Sequence, residues 1–330
     1  MENILKKVYE SQLLTSLETY KVFQKIIKNK INDVQLASLL ISMKTRGEST
    51  DEITGAINAC LEKVNYFPKP TYDFSDIVGT GGDKKNTINI STASSIVAAT
   101  CGFKIAKHCN TGISSQSGSS DVLRQWGINL NLSPQQSREM LDKFNICFLF
   151  APQYHTVFQN TLRVRKILQT KTLFNILGPL LNPSKPPLTI IGVYAKSLIS
   201  NIIQTLKKIN YKRAIVLHSN GNDEIMLFGK TYISELNNGK ITSYEIEAKD
   251  FGFHSHPQYA LTGGSSKENC DIIKKIFQGR GNIAHEETIS ANVAMLLKIF
   301  GNEDIKENAQ YALEIIRSGK VYKKLISLIN

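Results

Sequence analysis

The sequence lacks the features of a secreted, zinc-binding or membrane-spanning protein. Its 330 residues include only five cysteines, an odd number, and no two of them form a Cys-x-x-Cys pair. This distribution argues against a disulfide framework and a structural zinc site, and it favours a reducing compartment. No apolar run approaches the ~20 residues that cross a bilayer, and the first residues lack the apolar core of a signal peptide. We therefore expect a cytoplasmic protein with no membrane partner.

Neither the histidines nor the basic residues form a local cluster. The six histidines show no spacing typical of metal ligands. The net charge of +12 is compatible with an acidic partner, either a nucleic acid or a phosphorylated small molecule. Because the lysines are spread along the chain, this charge is weak support for nucleic-acid binding. At 42% hydrophobic residues the chain can build a substantial core, in one large domain or two ordinary ones.

The first 66 residues have the pattern of an all-helical segment. Asp33 is in place to cap one helix and Gly47 to end it. Ser49 and Glu52 have the spacing of a capping box at the start of the next helix. The prolines within residues 67–70 break this pattern and predict a linker.

After the linker, short apolar runs alternate with helical patterns. Strands are predicted at residues 75–78, 103–106, 147–150, 189–193 and 214–217. Helices are predicted at residues 92–101, 119–126, 134–144, 198–209, 266–279, 285–300 and 304–328. Residues 232–246 form a predicted hairpin with its turn at 237–239. The alternation predicts an α/β fold with a mainly parallel central sheet and helices on both faces.

Residues 79–92 begin with three glycines within four positions, directly after a predicted strand. Glycines let a backbone approach a ligand closely, and free N–H groups at the start of the following helix favour an anion. The spacing fits neither the dinucleotide fingerprint nor the P-loop, since Lys84 stands where the fingerprint needs a glycine. We interpret the segment as a phosphate cradle, with Asn89, Ser91 and Thr92 as further donors or metal ligands. The alternative is a strand-to-helix turn that binds nothing.

Three further features could act together with this loop. Lys107 begins a second polar loop, residues 107–121, after a predicted strand, where open α/β folds bind ligands; its ammonium offers a point charge to a phosphate. Asp223 and Glu224 supply adjacent carboxylates that suit Mg²⁺. Arg165 is able to hold a carboxylate with two hydrogen bonds. Taken singly, the second loop also fits a flexible surface loop, the acidic pair fits a solvated turn, and Arg165 fits a surface arginine on a helix.

Together these segments closely resemble the anthranilate phosphoribosyltransferase family. The resemblance extends nearly end to end and rests on several motifs in the same order. These motifs lie at residues 79–83, 89–92, 107–108, 117–121, 151–155, 165, 174–179, 223–224 and 291–294. The resemblance implies a small helical domain of residues 1–70, completed by about 166–186, and a larger α/β domain of residues 71–165 and 187–330. It also implies a homodimer formed through the helical domains.

The resemblance implies transfer of the 5-phosphoribosyl group from 5-phosphoribosyl 1-diphosphate to the amine of anthranilate. The products are N-(5-phosphoribosyl)anthranilate and diphosphate, in the second step from chorismate in tryptophan biosynthesis. Diphosphate leaves readily once its charge is neutralised, and the aromatic amine is already neutral at pH 7. No acid/base catalyst is therefore assigned, and catalysis is expected to rest on positioning and electrostatics. His108 is expected to orient anthranilate without transferring a proton.

The family's functional residues carry over by motif. The expected ligands of 5-phosphoribosyl 1-diphosphate are Gly79, Gly82, Asp83, Thr87, Asn89, Ile90, Ser91, Thr92, Lys107, His108, Cys109, Asn110, Thr111, Gly112, Ile113, Ser114, Ser115 and Ser119. Anthranilate is expected to contact Gly79, Asn110 and Arg165. Magnesium, with two ions expected, is assigned to Ser91, Asp223 and Glu224. A separate anthranilate synthase subunit is a possible partner.

The second loop departs from the family pattern at three positions. Cys109 replaces a glycine, Thr111 an arginine and Gln116 a lysine, so two positive charges near the diphosphate are absent. If the glycine position needs a positive φ, Cys109 introduces local strain of ~1 kcal/mol or more. We expect weaker binding of 5-phosphoribosyl 1-diphosphate than in typical members. Drift with reduced but retained activity is an equally good account.

Two other functions fit parts of the sequence. A pyrimidine-nucleoside phosphorylase of the same fold has a Lys-His-Ser-Thr-Gly-Gly loop that distantly resembles residues 107–112. The first glycine loop and the carboxylates of Asp223 and Glu224 argue against it. A non-catalytic nucleic-acid-binding relative fits the positive charge, but such a protein needs no site for magnesium and diphosphate. We therefore expect no nucleic-acid partner.

Overall fold

The computed structural model describes residues 2–82, 87–112, 118–155 and 159–329. Four helices come first: α1 Glu2–Tyr9, α2 Ser16–Ile27, α3 Asp33–Arg46 and α4 Thr50–Leu61. The capping box is confirmed, because the Ser49 side chain accepts the Glu52 N–H and the Glu52 carboxylate accepts the Ser49 N–H. Gly47, at φ 86°, ends α3 as predicted. The predicted cap at Asp33 is wrong by one residue, since Asn32 caps the helix and Asp33 is its first residue.

A seven-stranded sheet forms the centre of the α/β part. Its strands are β1 Ser75–Gly79, β2 Ile105–Cys109, β3 Ile146–Phe150, β4 Leu188–Gly192, β5 Arg213–Ser219, β6 Thr231–Asn237 and β7 Lys240–Ile246. They lie in the order β3-β2-β1-β4-β5-β6-β7. The first five in that order are parallel, and β6 and β7 are antiparallel, so the predicted mainly parallel sheet is confirmed. Asn238 and Gly239, at φ 46° and 82°, form the turn of the predicted hairpin.

The remaining helices include every predicted one, although one of them is divided in two, and one predicted strand is displaced along the chain. They are α5 Ile90–Thr100, α6 Ser119–Gln125, α7 Pro134–Phe144, α8 Ala151–Tyr154, α9 Gln159–Leu168, α10 Leu173–Leu180, α11 Leu198–Lys208, α12 Ser266–Phe277, α13 Ile283–Ile299, α14 Ile305–Arg317 and α15 Lys320–Ser327. The single helix predicted over 304–328 is two helices, because Gly319 at φ 71° interrupts it. The strand predicted at 103–106 lies further on, since Gly102 at φ 98° turns the chain first. Among the described residues, no helix combines the length and apolar character needed to cross a membrane.

Alternate residues of the sheet pack against different layers of helices. Ile215 and Leu217 of β5 share one core with apolar residues of α5, α12, α13 and α14. Ala214 and Val216 face the other way and share a second core with residues of α2, α3, α4, α10 and α11. Successive side chains of a strand point to opposite faces. The predicted helices on both faces of the sheet are therefore confirmed.

Helices α9 and α10 pack against the N-terminal helices. The ring centroid of Phe174 in α10 lies 5.7 Å from that of Phe23 in α2. Val164 of α9 belongs to the same apolar core as Leu40 of α3. The predicted boundary at residue 165 falls inside α9. The proposed completion of the helical domain by about 166–186 agrees with these contacts, and the division into two domains stays a prediction.

Candidate active site

The carboxyl ends of four neighbouring parallel strands lie at one edge of the sheet. β1 ends at Gly79, β2 at Cys109, β4 at Gly192 and β5 at Ser219. Open α/β folds bind ligands outside this edge. Because the strands are parallel, the glycine loop after β1, the second loop after β2 and the acidic pair after β5 come together there. The sequence analysis predicted that these three segments act together, and the strand order brings them to the same edge of the sheet.

The glycine loop is anchored to the neighbouring strand β4. Thr80 donates its N–H to the Gly192 carbonyl at 3.0 Å, and the Thr80 hydroxyl accepts the Tyr194 N–H at 3.1 Å. Gly81 and Gly82 have φ values of 66° and 78°, a conformation that residues with a β-carbon rarely adopt. These glycines are therefore required by the shape of the turn.

The carboxylates of Asp223 and Glu224 lie against the backbone donors of the phosphate cradle. The Gly81 N–H donates to Asp223 Oδ2 at 2.6 Å. The N–H of Ser91, the second residue of α5, donates to Glu224 Oε1 at 3.0 Å. A β-carbon on Gly79 would overlap the Asp223 carboxylate, so this glycine makes room for the acid. The predicted metal ligands Ser91, Asp223 and Glu224 are brought together.

A tight turn and a histidine hold the chain that leads to the acidic pair. Asn220 and Gly221, at φ 47° and 84°, connect Ser219 to Asn222; the backbones of Ser219 and Asn222 exchange hydrogen bonds of 3.0 and 2.8 Å. The Gly221 N–H donates to His218 Nε2 at 3.1 Å. His218 Nδ1 therefore carries the proton, which it donates to the carbonyl of the β4–α11 connection. Sequence reasoning missed His218, although the Asn-Gly pair signals the turn.

Lys107 is fully buried beneath the phosphate cradle. Its Nζ donates to the Ile77 carbonyl at 2.6 Å and approaches Ser91 Oγ at 3.4 Å. Burial lowers the pKa of this ammonium, and the charge of Asp76 acts in the opposite direction. Lys107 was expected in a loop; it lies instead inside β2, where its side chain reaches under α5.

Asp76 is a buried carboxylate that sequence reasoning did not select. Its Oδ2 accepts the side-chain amide of Asn182 at 2.8 Å, and its carboxylate lies 3.4 Å from the backbone nitrogen of His108. Burial raises its pKa to about 6, although Lys107 acts to lower it. An acidic residue within an apolar strand was the available signal. The contacts assign Asp76 a role in holding β2 and the segment after α10 in place.

His108 and His155 are neighbouring neutral imidazoles. Their ring centroids lie 5.5 Å apart, and His155 Nε2 lies 2.7 Å from the Leu181 carbonyl. Burial lowers the pKa of His108 to about 3 and that of His155 to about 4. Neither ring is protonated at neutral pH, which agrees with an orienting role for His108.

The second loop is closed by Asp121, another residue that sequence reasoning did not assign a role. Its Oδ2 accepts the Gly112 N–H at 3.1 Å and the Gly118 N–H at 2.8 Å. The Asn110 N–H is 3.2 Å from the Ser119 hydroxyl. One carboxylate thus draws together both ends of the loop, and Asn110, Gly112 and Ser119 are brought to the same place.

Cys109 does not have the strain that its substitution for glycine suggested. It is the last residue of β2, paired with Phe150 of β3, and its φ is not positive. The side chain is 2% exposed and belongs to the apolar core beneath the sheet. Burial raises the pKa of the thiol to about 12, so it is protonated at neutral pH. The strain prediction is wrong, because this position is extended strand.

At the start of α5, the backbone is more accessible to a ligand than the side chains are. Thr87 bridges to Thr262 in an isolated β-bridge, and Asn89 Oδ1 accepts the side-chain amide of Asn269 at 3.0 Å. The side chains of Ile90 and Thr92 are fully buried. These two residues can therefore meet a ligand at this edge only through their backbone. Asn89 flanks the helix without capping it through its side chain.

Arg165 lies on α9, a helix that packs against α2 and α3. Its guanidinium stacks over the Phe174 ring at 5.3 Å from the centroid, and burial lowers its pKa. Within the described part of the chain it forms no ion pair with a carboxylate and no hydrogen bond to Gly79 or Asn110. Asp83, Ile113, Ser114, Ser115 and Gln116 lie outside the described residues.

The described residues contain no group of three or more His, Cys, Asp or Glu side chains arranged to hold a metal ion.

Comparisons with known proteins agree on one family. Residues 71–322 match the glycosyl transferase family, a/b domain, and residues 2–64 match the helical bundle domain of the glycosyl transferase family. The chain is 57% identical to an anthranilate phosphoribosyltransferase of Buchnera aphidicola subsp. Melaphis rhois, over 99% of both chains.

Solved structures give the same result. The crystal structure of anthranilate phosphoribosyltransferase from Thermus thermophilus superposes with a TM-score of 0.92 at 29% identity, covering 98% of both chains. The Saccharomyces cerevisiae enzyme in complex with PRPP and Mg superposes with a TM-score of 0.90 at 27% identity, covering 98% of this chain and 95% of that one. Fold, order of motifs and overall similarity thus agree, and the chain belongs to the anthranilate phosphoribosyltransferase family.

Proposed function

We propose that this chain transfers the 5-phosphoribosyl group of 5-phosphoribosyl 1-diphosphate to the amine of anthranilate, as the second step from chorismate in tryptophan biosynthesis. The observation that carries the proposal is the position of the acidic pair. Asp223 lies on the glycine loop, with its Oδ2 2.6 Å from the Gly81 nitrogen. Glu224 lies at the start of α5, with its Oε1 3.0 Å from the Ser91 nitrogen. Hard oxygen ligands and anion-binding N–H groups therefore share one edge of the sheet.

The reaction breaks the bond between ribose C1 and a diphosphate oxygen and forms a bond from C1 to the amine nitrogen. The nitrogen then loses its extra proton to solvent. The protein's part is to hold both reactants in line and to stabilise the charge that develops on the leaving diphosphate. The N–H groups of the glycine loop and of the first turn of α5 suit that charge. The neutral imidazoles of His108 and His155 fit an orienting role toward the acceptor.

Magnesium fits the side chains at this edge. The proposed ligands Ser91, Asp223 and Glu224 offer a hydroxyl and two carboxylates, the oxygen donors that Mg²⁺ prefers. When bound, the metal supplies charge neutralisation for the leaving diphosphate. We propose two ions; the Saccharomyces cerevisiae relative is described with Mg and PRPP together, which supports the metal without fixing the number.

The substrate ligands are assigned as the family resemblance implies. Lys107, buried with its Nζ against Ile77 and Ser91, supplies positive charge beneath the diphosphate. Asn110, Gly112 and Ser119, gathered by Asp121, form the described part of the second diphosphate loop. For anthranilate we propose Gly79, Asn110 and Arg165, whose guanidinium suits the acceptor carboxylate.

The decisive test is a fluorescence assay of anthranilate consumption with Mg²⁺ and 5-phosphoribosyl 1-diphosphate. Asp223→Asn and Glu224→Gln should each lower kcat/KM by roughly a hundredfold or more, because metal-dependent neutralisation of the leaving group is lost. Asp271→Asn, an exposed carboxylate on α12, is the matched control and should retain wild-type turnover. Unaffected rates in the first two variants would remove the role proposed for the pair.

Two further results would favour the other functions. Phosphorolysis of thymidine without anthranilate turnover would favour a nucleoside phosphorylase. Salt-sensitive binding to duplex nucleic acid would favour a nucleic-acid-binding protein.

The proposed homodimer is supported by exposed apolar side chains on the helical part. These are Tyr9, Leu13, Leu17, Val34, Leu162 and Ile167, each at least 41% exposed. Contacts connect three of the helices that bear them, α1, α3 and α9: the Tyr9 hydroxyl lies 2.7 Å from the Ser38 hydroxyl, and Arg163 Nε lies 3.3 Å from Asp33 Oδ2. Exposed apolar side chains that gather on one part of a protein are typical of a surface that binds a partner. A cytoplasmic location and association with an anthranilate synthase subunit stay predictions.

A further inference from the structure

One buried side chain holds the backbone that follows the acidic pair. The Ile225 N–H donates to Asn292 Oδ1 at 3.1 Å, and Asn292 Nδ2 donates to the Ile225 carbonyl at 2.9 Å. The same Nδ2 donates to the Thr288 carbonyl at 2.9 Å, within α13. Asn292 is 2% exposed. Its amide therefore uses both donors and its acceptor to attach the chain at Ile225 to a long buried helix.

These hydrogen bonds take the place of the backbone hydrogen bonds that a helix or strand would form. Residues 223–225 belong to no helix or strand, and the Ile225 side chain is 1% exposed. Buried backbone groups need partners, and within the described part of the chain Asn292 provides the hydrogen bonds to the Ile225 backbone. This attachment holds the chain directly after Asp223 and Glu224.

The acidic pair is confined from the other side by the end of β4. A β-carbon on Gly192 would overlap the backbone carbonyl of Asp223. The segment therefore lies between a glycine that lets it approach the sheet and an asparagine that ties it to α13. Asparagine suits this position because it offers a donor and an acceptor at once, whereas an aspartate accepts only and a leucine does neither.

We infer that Asn292 is a positioning residue that sets the metal affinity of the Asp223–Glu224 pair. The inference rests on the proposed function, since it takes those carboxylates as magnesium ligands. Residues that orient metal ligands through hydrogen bonds change metal affinity by roughly 10- to 100-fold when replaced. Asn292 touches neither substrate nor metal and acts through the Ile225 backbone.

The test is direct measurement of Mn²⁺ binding by electron paramagnetic resonance, with inorganic diphosphate present, on the full chain. Asn292→Asp should raise the Mn²⁺ dissociation constant by roughly tenfold or more and leave the KM for anthranilate unchanged. Asn308→Asp is the matched control: Asn308 is 7% exposed and its Nδ2 donates to the carbonyls of Ala294, also on α13, and Asn302. That variant should bind Mn²⁺ as the wild type does.

Urea unfolding of Asn292→Asp checks that this variant folds, and a second variant disturbs the acidic segment from the opposite side. Gly192→Ala displaces the Asp223 backbone from the opposite side and should weaken Mn²⁺ binding by a similar factor. Wild-type Mn²⁺ affinity in Asn292→Asp, or equal weakening in Asn292→Asp and Asn308→Asp, would overturn the inference. Wild-type Mn²⁺ affinity in Asp223→Asn would instead overturn the proposed function, since the pair would then bind no metal.

Discussion

Two buried charges, Asp76 and Lys107, lie directly beneath the ligand loops, and burial opposes the charged form of both. The pKa of Asp76 is raised to about 6, while that of Lys107 is lowered, in each case chiefly by burial. Asn182, His108 and Ile77 provide hydrogen bonds that compensate in part. Charge is therefore kept under the loops at a cost in folding stability.

This cost should be visible as a pH dependence. The folded pKa of Asp76, about 6, lies above the ordinary value of 3.8, so the native state binds the proton more tightly than the unfolded state. Its contribution to stability is therefore largest below pH 4 and is lost as the pH rises through 6, by about 3 kcal/mol in total. We expect Asp76→Asn to remove that decline. Urea unfolding of both proteins at pH 4, 5 and 6 measures the difference; parallel curves would contradict the assignment.

The three departures in the second loop act through different physical effects. Cys109 fills the core at the end of β2, whereas Thr111 is exposed and Gln116 lies outside the described residues. Only an exposed position beside the ligand can restore charge to the diphosphate site. The substitutions at Cys109 and Thr111, which both lie in the second loop, should therefore have different effects on substrate binding and on stability.

Thr111→Arg should lower the KM for 5-phosphoribosyl 1-diphosphate roughly threefold or more, because a guanidinium binds phosphate oxygens well. Cys109→Gly should leave that KM unchanged and lower the free energy of unfolding by about 2 kcal/mol, since it empties a buried position within a strand. Steady-state kinetics and urea unfolding of each single variant measure both quantities. An unchanged KM in Thr111→Arg, or a lowered KM in Cys109→Gly, would contradict this separation.

Elements with strong local signals were predictable from the sequence. Helix α7, Pro134–Phe144, has the predicted bounds because Pro134 follows a capping Ser133 and Asn145 ends the helix in a left-handed conformation. The hairpin was predictable from its Asn-Gly turn. Strand β2 was displaced because its bounds depend on pairing with β3, a long-range contact that local pattern does not contain.

The same distinction applies to the site. Gly79, Ser91, Asp223 and Glu224 were assigned to the site because glycine loops and adjacent acids are local motifs, and the structure brings these residues together. Asn292 was not assigned a role, and His218 was missed, because they act through the backbone of residues distant in the sequence. Asp121 was quoted within a motif, yet its closure of the second loop depends on a three-dimensional contact. Sequence thus indicated the groups that are proposed to meet the ligand and not the groups that hold them.

At the scale of the whole molecule, the helical part leaves an apolar surface exposed. It is formed by Tyr9, Leu13, Leu17, Val34, Leu162 and Ile167. The proposed dimer would cover it and would fix α9, the helix that bears Arg165, against a partner. Oligomeric state and the acceptor site are then coupled through one helix.

Leu13→Glu combined with Leu17→Glu should convert the dimer to a monomer, because two charges would be buried without partners at the interface. Light scattering coupled to size-exclusion chromatography measures the mass. Tyr66→Glu, at an exposed aromatic outside these helices, is the control and should remain dimeric. A wild-type chain that is monomeric at micromolar concentration, or a dimeric double variant, would contradict the proposal.

The two glycines beside Asp223 have a consequence for how this site tolerates mutation. Gly79 and Gly192 border space that the acidic segment already fills, so every amino-acid replacement there must displace a carboxylate or its backbone. Thr111, with an exposed side chain, meets no such barrier. A lineage accumulating substitutions can therefore change an exposed position such as Thr111 gradually, whereas a replacement at Gly79 or Gly192 disturbs the acidic segment in a single step. The departures from the family pattern at Cys109, Thr111 and Gln116 replace neither of these two glycines.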